Sequence, residues 1–232
     1  MPFIDFSRAR TLFKRELCLS LYSNRTKKGL LDHIQIPTYM NFLEQKILKD
    51  GVIKQGNVLK IDNFLNHQID INIIRQIASE LKRRFHDVEV NKILTIEASG
   101  IAIATMLGHL YDVPVVFAKK GQTANSTDDK YMSQAYSFTH KRMNNVFVSK
   151  PYLQSTDRVL IVDDFLADGQ AALALIDIVH QAGAKVMGIG VAVEKGQQKG
   201  GRILRNDGFH VESIAIIEEM NYEEQSIRFL EQ

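Results

Sequence analysis

The chain has 232 residues, 45% of them hydrophobic and 24% charged, and a formal net charge of +2 at pH 7. This length and apolar content fit one domain with a sizeable core, with or without an appendage, and no uninterrupted apolar stretch is long enough to span a membrane. Cys18 is the single cysteine, so a disulfide framework within one chain is excluded and a reducing cytoplasm is the expected compartment.

The first 39 residues carry the basic balance of the chain. They contain seven lysines and arginines against three acidic residues, without helical periodicity and without the pattern of a signal peptide. A targeting presequence or a nucleic-acid-binding arm would have a similar composition. We favour a separate N-terminal extension at residues 1–39, poorly ordered or arising from an upstream start, followed by a domain at residues 40–232.

From residue 40 onward, helical and strand patterns alternate. Apolar residues at helical spacing begin at Phe42 and end before Gly51, and Asp70 is placed to cap a second helix. Further patterns predict strands at residues 92–96, 114–118, 146–148, 186–193 and 211–217, the last of these closing the series, with a helix at residues 99–110. Strands that alternate with helices predict a parallel sheet with helices on both faces.

The polar stretch at residues 119–145 is predicted to be a loop, interrupted by four residues from Ala135. A long polar loop inside a compact domain is usually a lid or a disordered segment. A lid formed by this stretch would shield a reaction that water must not enter.

Residues 158–171, with the sequence RVLIVDDFLADGQA, are the segment around which the chain is organised. The apolar run at residues 159–162 is typical of a strand buried on both faces, and Asp163 and Asp164 follow at its C-terminal end. A small-residue loop then leads into a helix that ends at Gly183; it comprises Ala167, Asp168, Gly169, Gln170 and Ala171.

This strand, acidic pair, loop and helix together predict a ribose-phosphate site. Ligands bind at the carboxyl ends of strands in open α/β sheets, and the free N–H groups at a helix start favour an anion. Two adjacent carboxylates repel each other, and a sugar diol or a magnesium ion would compensate both. The alternative is that Asp163 and Asp164 only end a strand and cap a helix.

A second junction between a strand and a helix has the sequence EASGI, at residues 97–101. Its backbone N–H groups around Ser99 and Gly100 predict a second anion site, and Lys119 and Lys120 after the next strand could neutralise the same anion. A helix N-cap is an equally good interpretation of Ser99, and a solvated loop is the alternative for the lysine pair.

The segment at residues 158–171 resembles the 5-phosphoribosyl 1-diphosphate (PRPP) signature of type I phosphoribosyltransferases. Other segments are similar to those of the bacterial xanthine phosphoribosyltransferases within that family: VLKID at residues 58–62, FLNHQ at 64–68, EASGI at 97–101, YSFT at 136–139 and VEK at 193–195. The resemblance extends from about Met40 to the C-terminus.

The resemblance implies an α/β type I phosphoribosyltransferase fold, with a central, mostly parallel sheet flanked by helices and a small N-terminal hood. It implies a purine-salvage reaction in which the 5-phosphoribosyl group of PRPP, bound with Mg²⁺, is transferred to N9 of xanthine to give xanthosine 5′-monophosphate and diphosphate. It further implies a lid at residues 121–138, a cytoplasmic homodimer, and neither nucleic-acid nor membrane partners.

The resemblance also assigns roles to individual residues. Asp163 and Asp164 are expected to face the ribose hydroxyls in catalysis, while Leu59, Asn66 and Lys195 are expected to contact xanthine. An ammonium group at a strand end is suited to the carbonyl oxygens of a 6-oxopurine. The expected phosphate contacts are residues 167–171 for the 5′-phosphate and Ser99, Gly100, Lys119 and Lys120 for the pyrophosphate.

Two residues of the phosphate loop depart from the family pattern. Ala171 replaces a hydroxyl side chain, so backbone N–H groups must contribute more. Asp168 places an acid inside an anion site, and we expect its carboxylate to cap the following helix. Two alternative functions remain: a guanine or hypoxanthine phosphoribosyltransferase, and a PRPP-sensing purine-operon repressor, for whose DNA-binding domain 39 residues are too short.

Overall fold

The computed structural model describes residues 40–121, 129–137 and 142–232. The predicted extension at residues 1–39 therefore lies outside the described residues. The same holds for part of the predicted lid, including Ser126, Thr127, Asp128 and Phe138, and for the adjacent Thr139.

The domain begins with helix α1, Phe42–Asp50, followed by a small hairpin. Asn41 caps α1 by accepting hydrogen bonds from the N–H groups of Leu43 and Glu44, and Gly51 ends it as predicted. Strands β1, Val52–Lys54, and β2, Val58–Lys60, pair antiparallel and turn alternate side chains into the core. A short π-helical turn, Asp62–Asn66, follows, and these elements form the predicted hood.

The next elements follow the predicted order closely. Helix α2, Ile71–Arg84, starts at Asp70, whose carboxylate accepts from the N–H groups of Asn72 and Ile73. Strand β3, Lys92–Ile96, helix α3, Gly100–Tyr111, and strand β4, Val115–Lys120, form a parallel β-α-β unit.

The predicted loop at residues 119–145 is wrong in large part. Strands β5, Lys130–Ser137, and β6, Arg142–Ser149, pair antiparallel along their whole length, and β6 pairs with β4. The short predicted strand at 146–148 is thus one end of a longer one. These strands lie at the edge of the sheet, where side chains alternate between core and solvent, so their polar composition hides a strand pattern.

The C-terminal half contains the organising segment. Strand β7, Arg158–Leu166, extends beyond the predicted apolar run, so the acidic pair lies within the strand. Helix α4, Gln170–Gln181, and strand β8, Lys185–Lys195, follow as predicted. The predicted strand at residues 211–217 is part of a longer strand β9, Val211–Asn221, but the prediction that it closes the series is wrong, because a strand β10, Ser226–Phe229, follows it. Helix α5, Gly200–Asn206, is an addition to the predicted elements.

Eight strands form one sheet in the order β10-β9-β8-β7-β3-β4-β6-β5. The five consecutive strands from β9 to β4 are parallel, and the flanking strands pair antiparallel. From β3 the chain runs to β4 on one side, whereas β7 lies on the other side. The strand order therefore reverses between β3 and β7, and in open α/β sheets the ligand crevice lies at such a point.

Apolar side chains fill both faces of the sheet. On β7, Leu160 and Val162 belong to the layer beneath α2, α3 and the hood, whereas Val159 and Ile161 belong to the layer beneath α4. All four are fully buried. This explains why the strand is a continuous apolar run. Within the described ranges, no helix is both long and apolar enough to cross a membrane.

Candidate active site

A cavity of about 270 Å³ opens at the carboxyl ends of β7 and β8, next to the reversal in strand order. Asp163, Phe165 and Lys195 line it together with Tyr136 of β5. The loop between β7 and α4 completes the lining with Ala167, Asp168, Gly169, Gln170 and Ala171. All five predicted 5′-phosphate residues are thus in one cavity with the predicted base-contacting lysine.

The phosphate loop exposes backbone donors at the start of α4. Gly169 is the N-cap residue, with a φ of 83° that residues with a side chain rarely adopt. The first intrahelical bond is donated by the N–H of Leu173 to the carbonyl of Gly169, at 2.9 Å. The N–H groups of Gln170, Ala171 and Ala172 precede it and have no partner within the helix. They can donate to a phosphate, and the helix dipole favours the negative charge.

The prediction that Asp168 caps α4 is wrong. Gly169 takes the N-cap position, and among the described residues no side-chain capping hydrogen bond forms at the start of this helix. The Asp168 carboxylate is half-buried and lines the cavity. A negative charge therefore lies beside the donors that would hold the phosphate.

The two acids of β7 differ in environment. Asp163 lines the cavity and its Oδ1 accepts a hydrogen bond from the N–H of Asp164 at 2.9 Å, whereas Asp164 is only 8% exposed and does not line it. The two carboxyl groups nevertheless interact with each other. Burial raises the pKa of Asp163 well above its usual range, and the nearby Asp164 carboxylate adds to the rise.

The turn between β3 and α3 packs closely against Asp163. A β-carbon at Gly100 would lie 2.9 Å from Oδ1 of Asp163 and would collide with the hydroxyl of Thr95, so only glycine fits. The peptide bond between Glu97 and Ala98 is cis. The Ser99 side chain makes no capping hydrogen bond. Ser99 thus takes the N-cap position that the alternative interpretation gave it, but its hydroxyl does not bond the first turn of the helix.

The two lysines at the end of β4 are separated by the structure. Lys119 lines a groove with Phe117 and Phe147, away from the cavity. The charge of Lys120 is close enough to Asp163 to oppose the rise of that carboxyl's pKa. The N–H of Lys120 donates to the Glu97 carboxylate at 2.5 Å, which ties β4 to the turn of the second anion site. The arrangement favours Lys120 over Lys119 as a pyrophosphate contact.

The base end of the cavity contains an aromatic ring as well as the predicted lysine. Lys195 ends β8, and its ammonium nitrogen is 5.7 Å from the centre of the Phe165 ring. Leu59 lies in the hood, 6% exposed within the core, and Asn66 is exposed at the end of the π-helical turn. Neither lines the cavity, so their predicted contacts with the base stay predictions.

Sequence reasoning gave no role to the residues that attach the β5–β6 hairpin to the site. The side-chain amide of Gln181, the last residue of α4, donates to the carbonyl of Met132 at 2.8 Å and accepts from its N–H at 3.1 Å. This pairing fixes β5 to the helix whose other end forms the phosphate loop, and β5 places Tyr136 in the cavity. A glutamine at a helix end does not indicate such pairing in the sequence. Tyr136 itself could have been found, because it begins the YSFT segment of the family resemblance.

Comparisons with known proteins show what this chain is similar to. The family model for the phosphoribosyl transferase domain matches residues 60–222. The xanthine phosphoribosyltransferase of Lachnoclostridium phytofermentans is 52% identical over 190 residues, which make up 82% of this chain and 98% of that relative. The one from Clostridium novyi is 50% identical over 181 residues, or 78% of this chain and 95% of that relative.

Solved structures support the fold. The crystal structure of adenine phosphoribosyltransferase from Rhodothermus marinus matches with a TM-score of 0.62 at 21% identity, covering 75% of this chain and 97% of that one. At this level of identity, the likeness concerns the arrangement of strands and helices and carries no information on the base.

Proposed function

The chain belongs to the phosphoribosyltransferase family, and on this premise we propose that it transfers the 5-phosphoribosyl group of PRPP to N9 of xanthine. The products are xanthosine 5′-monophosphate and diphosphate, a purine-salvage reaction. The observation that carries the proposal is the presence of Lys195 in the same cavity as the phosphate loop of α4. The end of the cavity with Lys195 suits an oxopurine, and the end with the phosphate loop suits a phosphate.

Lys195 and Phe165 support the choice of base. Among the described residues, the Lys195 ammonium has no hydrogen-bond acceptor or acidic partner, so its donors are available to a ligand. A 6-oxopurine offers carbonyl oxygens to these donors, whereas the amino group of adenine does not. The Phe165 ring offers an apolar surface to the flat base. We further propose that Leu59 and Asn66 of the hood contact xanthine from outside the cavity, as the family resemblance implies.

PRPP has an anionic group at each end, and the site has two junctions that can receive them. The N–H groups at the start of α4 would take the 5′-phosphate. The turn with Ser99 and Gly100, together with Lys120, would take the diphosphate. Asp163 lies between these two junctions, where the ribose of a bound PRPP would have to lie. Its carboxylate is thus suited to accept hydrogen bonds from the ribose hydroxyls.

Catalysis in this proposal requires positioning and charge neutralisation rather than a covalent nucleophile. Mg²⁺ bound to PRPP would supply positive charge to the diphosphate leaving group. Within the described parts of the chain, no three His, Cys, Asp or Glu side chains converge on a metal site, so oxygens of PRPP would be the main ligands. Lys120 would add charge at the leaving group, and Asp163 would hold the sugar. From the resemblance we also propose a cytoplasmic homodimer.

A panel of bases tests the function. The purified chain is incubated with PRPP, Mg²⁺ and, in turn, xanthine, guanine, hypoxanthine or adenine, and nucleotide formation is followed by chromatography. We expect the largest kcat/KM for xanthine and no turnover of adenine. A larger kcat/KM for guanine or hypoxanthine would contradict the proposed substrate and support the alternative phosphoribosyltransferase. If no base is converted while PRPP binds, the sensor alternative is favoured, and a gel shift with operator-like DNA would test it.

A further inference from the structure

An ionic network built on a buried carboxylate lies directly behind the cavity. Glu194, the residue before Lys195, is 5% exposed and accepts two hydrogen bonds from the Arg205 guanidinium, at 2.9 and 2.7 Å. The hydroxyl of Ser213 on β9 donates to the same carboxylate. Arg205 belongs to α5, so the network joins β8, α5 and β9 at the carboxyl edge of the sheet. A buried carboxylate needs such partners to offset its desolvation.

The carboxylate of Glu194 fixes the start of α5 by direct contact. A β-carbon at Gly201 would collide with Oε1 of Glu194 and would lie 2.6 Å from a guanidinium nitrogen of Arg205. The backbone of Gly201 therefore packs flat against the ion pair. Any displacement of the carboxylate changes the surface on which this turn rests.

Gly200, the preceding residue, packs against the phosphate loop. Its N–H donates to the carbonyl of Ala167 at 3.1 Å. A β-carbon at Gly200 would lie 2.5 Å from the backbone nitrogen of Gly169 and 2.8 Å from the carbonyl carbon of Asp168. The two backbones are thus in contact, and the start of α5 supports the loop from behind the donors that face the cavity.

We propose that Glu194 is a positioning residue for phosphoribosyl transfer, whose carboxylate holds the Gly200–Gly201 turn against the phosphate loop. Contacts run from Glu194 through Gly201 and Gly200 to the loop at Gly169. The same strand end carries Lys195, so one rigid unit sets the distance between the base contact and the phosphate donors. The inference rests on the proposed function, because it assumes that the loop binds the 5′-phosphate of PRPP.

A matched ion pair at the opposite edge of the sheet provides the control. Asp157 is 8% exposed and accepts hydrogen bonds from Lys92 and from the N–H of Gln154, each at 2.7 Å. It precedes β7 at the amino end of that strand, far from the cavity. Asp157→Asn should therefore cost stability in the same way as Glu194→Gln without any contact with the phosphate loop.

The experiment measures binding and kinetics of both variants beside the wild type. Ribose 5-phosphate is the probe for the phosphate loop, measured by titration calorimetry, and KM is measured separately for PRPP and xanthine. We expect Glu194→Gln to weaken ribose 5-phosphate binding and raise the KM for PRPP by about tenfold, the effect of roughly one charge-assisted hydrogen bond. The KM for xanthine should change less, and Asp157→Asn should leave all three values unchanged.

A second variant keeps the test decisive where Glu194→Gln does not fold. Ser213→Ala removes one hydrogen bond from the same carboxylate and should raise the KM for PRPP in the same direction by a smaller factor. Equal KM values for PRPP in Glu194→Gln, Ser213→Ala and Asp157→Asn would overturn the inference. A wild-type chain that converts no base would instead contradict the proposed function, so the two failures are distinguishable.

Discussion

The ammonium nitrogen of Lys195 lies 5.7 Å from the centre of the Phe165 ring, at the ends of two adjacent parallel strands. The ammonium group thus lies over the apolar face of the ring, which does not neutralise its positive charge. Since no acceptor among the described residues competes for its donors, a ligand carbonyl can bind there. The proposed base contact is thus on β8, and the ring is on β7, two residues after Asp163.

Replacing Lys195 tests its contact with the base. Lys195→Met keeps the length of the side chain and removes the donors, so the KM for xanthine should rise by about ten- to a hundredfold, the effect of losing a charge-assisted hydrogen bond. The KM for PRPP should change much less. Lys199→Met, at an exposed position four residues later, is the control for the loss of charge. Equal effects of Lys195→Met on both substrates would contradict the assignment.

The raised pKa of Asp163 predicts how stability depends on pH. Between the usual value of 3.8 and the raised pKa, the folded chain binds a proton that the unfolded chain has released, so folding stability falls as the pH rises through this window. Asp163→Asn has no such proton, and its stability should not show that fall.

The variant should therefore unfold at higher urea concentration than the wild type at neutral pH, with the difference disappearing near pH 4. Turnover should drop by about ten- to a hundredfold because one of the two acceptor oxygens proposed for the ribose hydroxyls is replaced by an N–H donor. Asp157→Asn, which loses the partner of Lys92, should be less stable than the wild type at neutral pH. An Asp163→Asn variant that is destabilised at neutral pH would show that the carboxylate stabilises the fold.

Removing the charge of Asp168 should increase the affinity for PRPP. A carboxylate beside a phosphate repels it by roughly 1 kcal/mol at 4 Å in water, which is about fivefold in affinity. Asp168→Asn should lower the KM for PRPP by about that factor, leave the KM for xanthine unchanged, and leave stability unchanged because the side chain does not cap α4. High salt should reduce the difference in the KM for PRPP between this variant and the wild type, because it screens the repulsion.

Asp207→Asn makes the same change in net charge at an exposed position and serves as the comparison. It should leave the KM for PRPP unchanged at both salt concentrations. Loss of turnover in Asp168→Asn would show instead that this carboxylate takes part in catalysis.

A chain that begins at Met40 should fold and keep its activity, because every residue placed at the site lies beyond that position. Asn41 should then be the critical residue near the new terminus, since it caps α1 and its amide donates to the carbonyl of Ile214 at 2.8 Å. Adding Asn41→Ala to the shortened chain should cost about 1 kcal/mol of unfolding free energy. A shortened chain that is unfolded or inactive would show that the first 39 residues contribute to the domain.

Local patterns in the sequence determined the elements on which the site is built. The cap at Asp70, the end of α1 at Gly51, the buried strand at residues 92–96 and the β7–α4 junction depend on residues within a few positions of each other, so spacing alone predicts them. The resemblance added roles that the structure then brought together in part, with Lys195 and the phosphate loop in one cavity. Leu59 and Asn66 remain outside it.

Only the tertiary structure decided which of these residues share a site. Lys119 and Lys120 are neighbours in sequence, yet strand geometry turns them to opposite faces, and only the register of β4 shows which one lies near Asp163. The polar strands β5 and β6 exist because they pair with each other and with β4. Glu194 meets Arg205 and Ser213 from 11 and 19 residues away along the chain. Such contacts depend on how distant segments pack, and sequence spacing does not encode that packing locally.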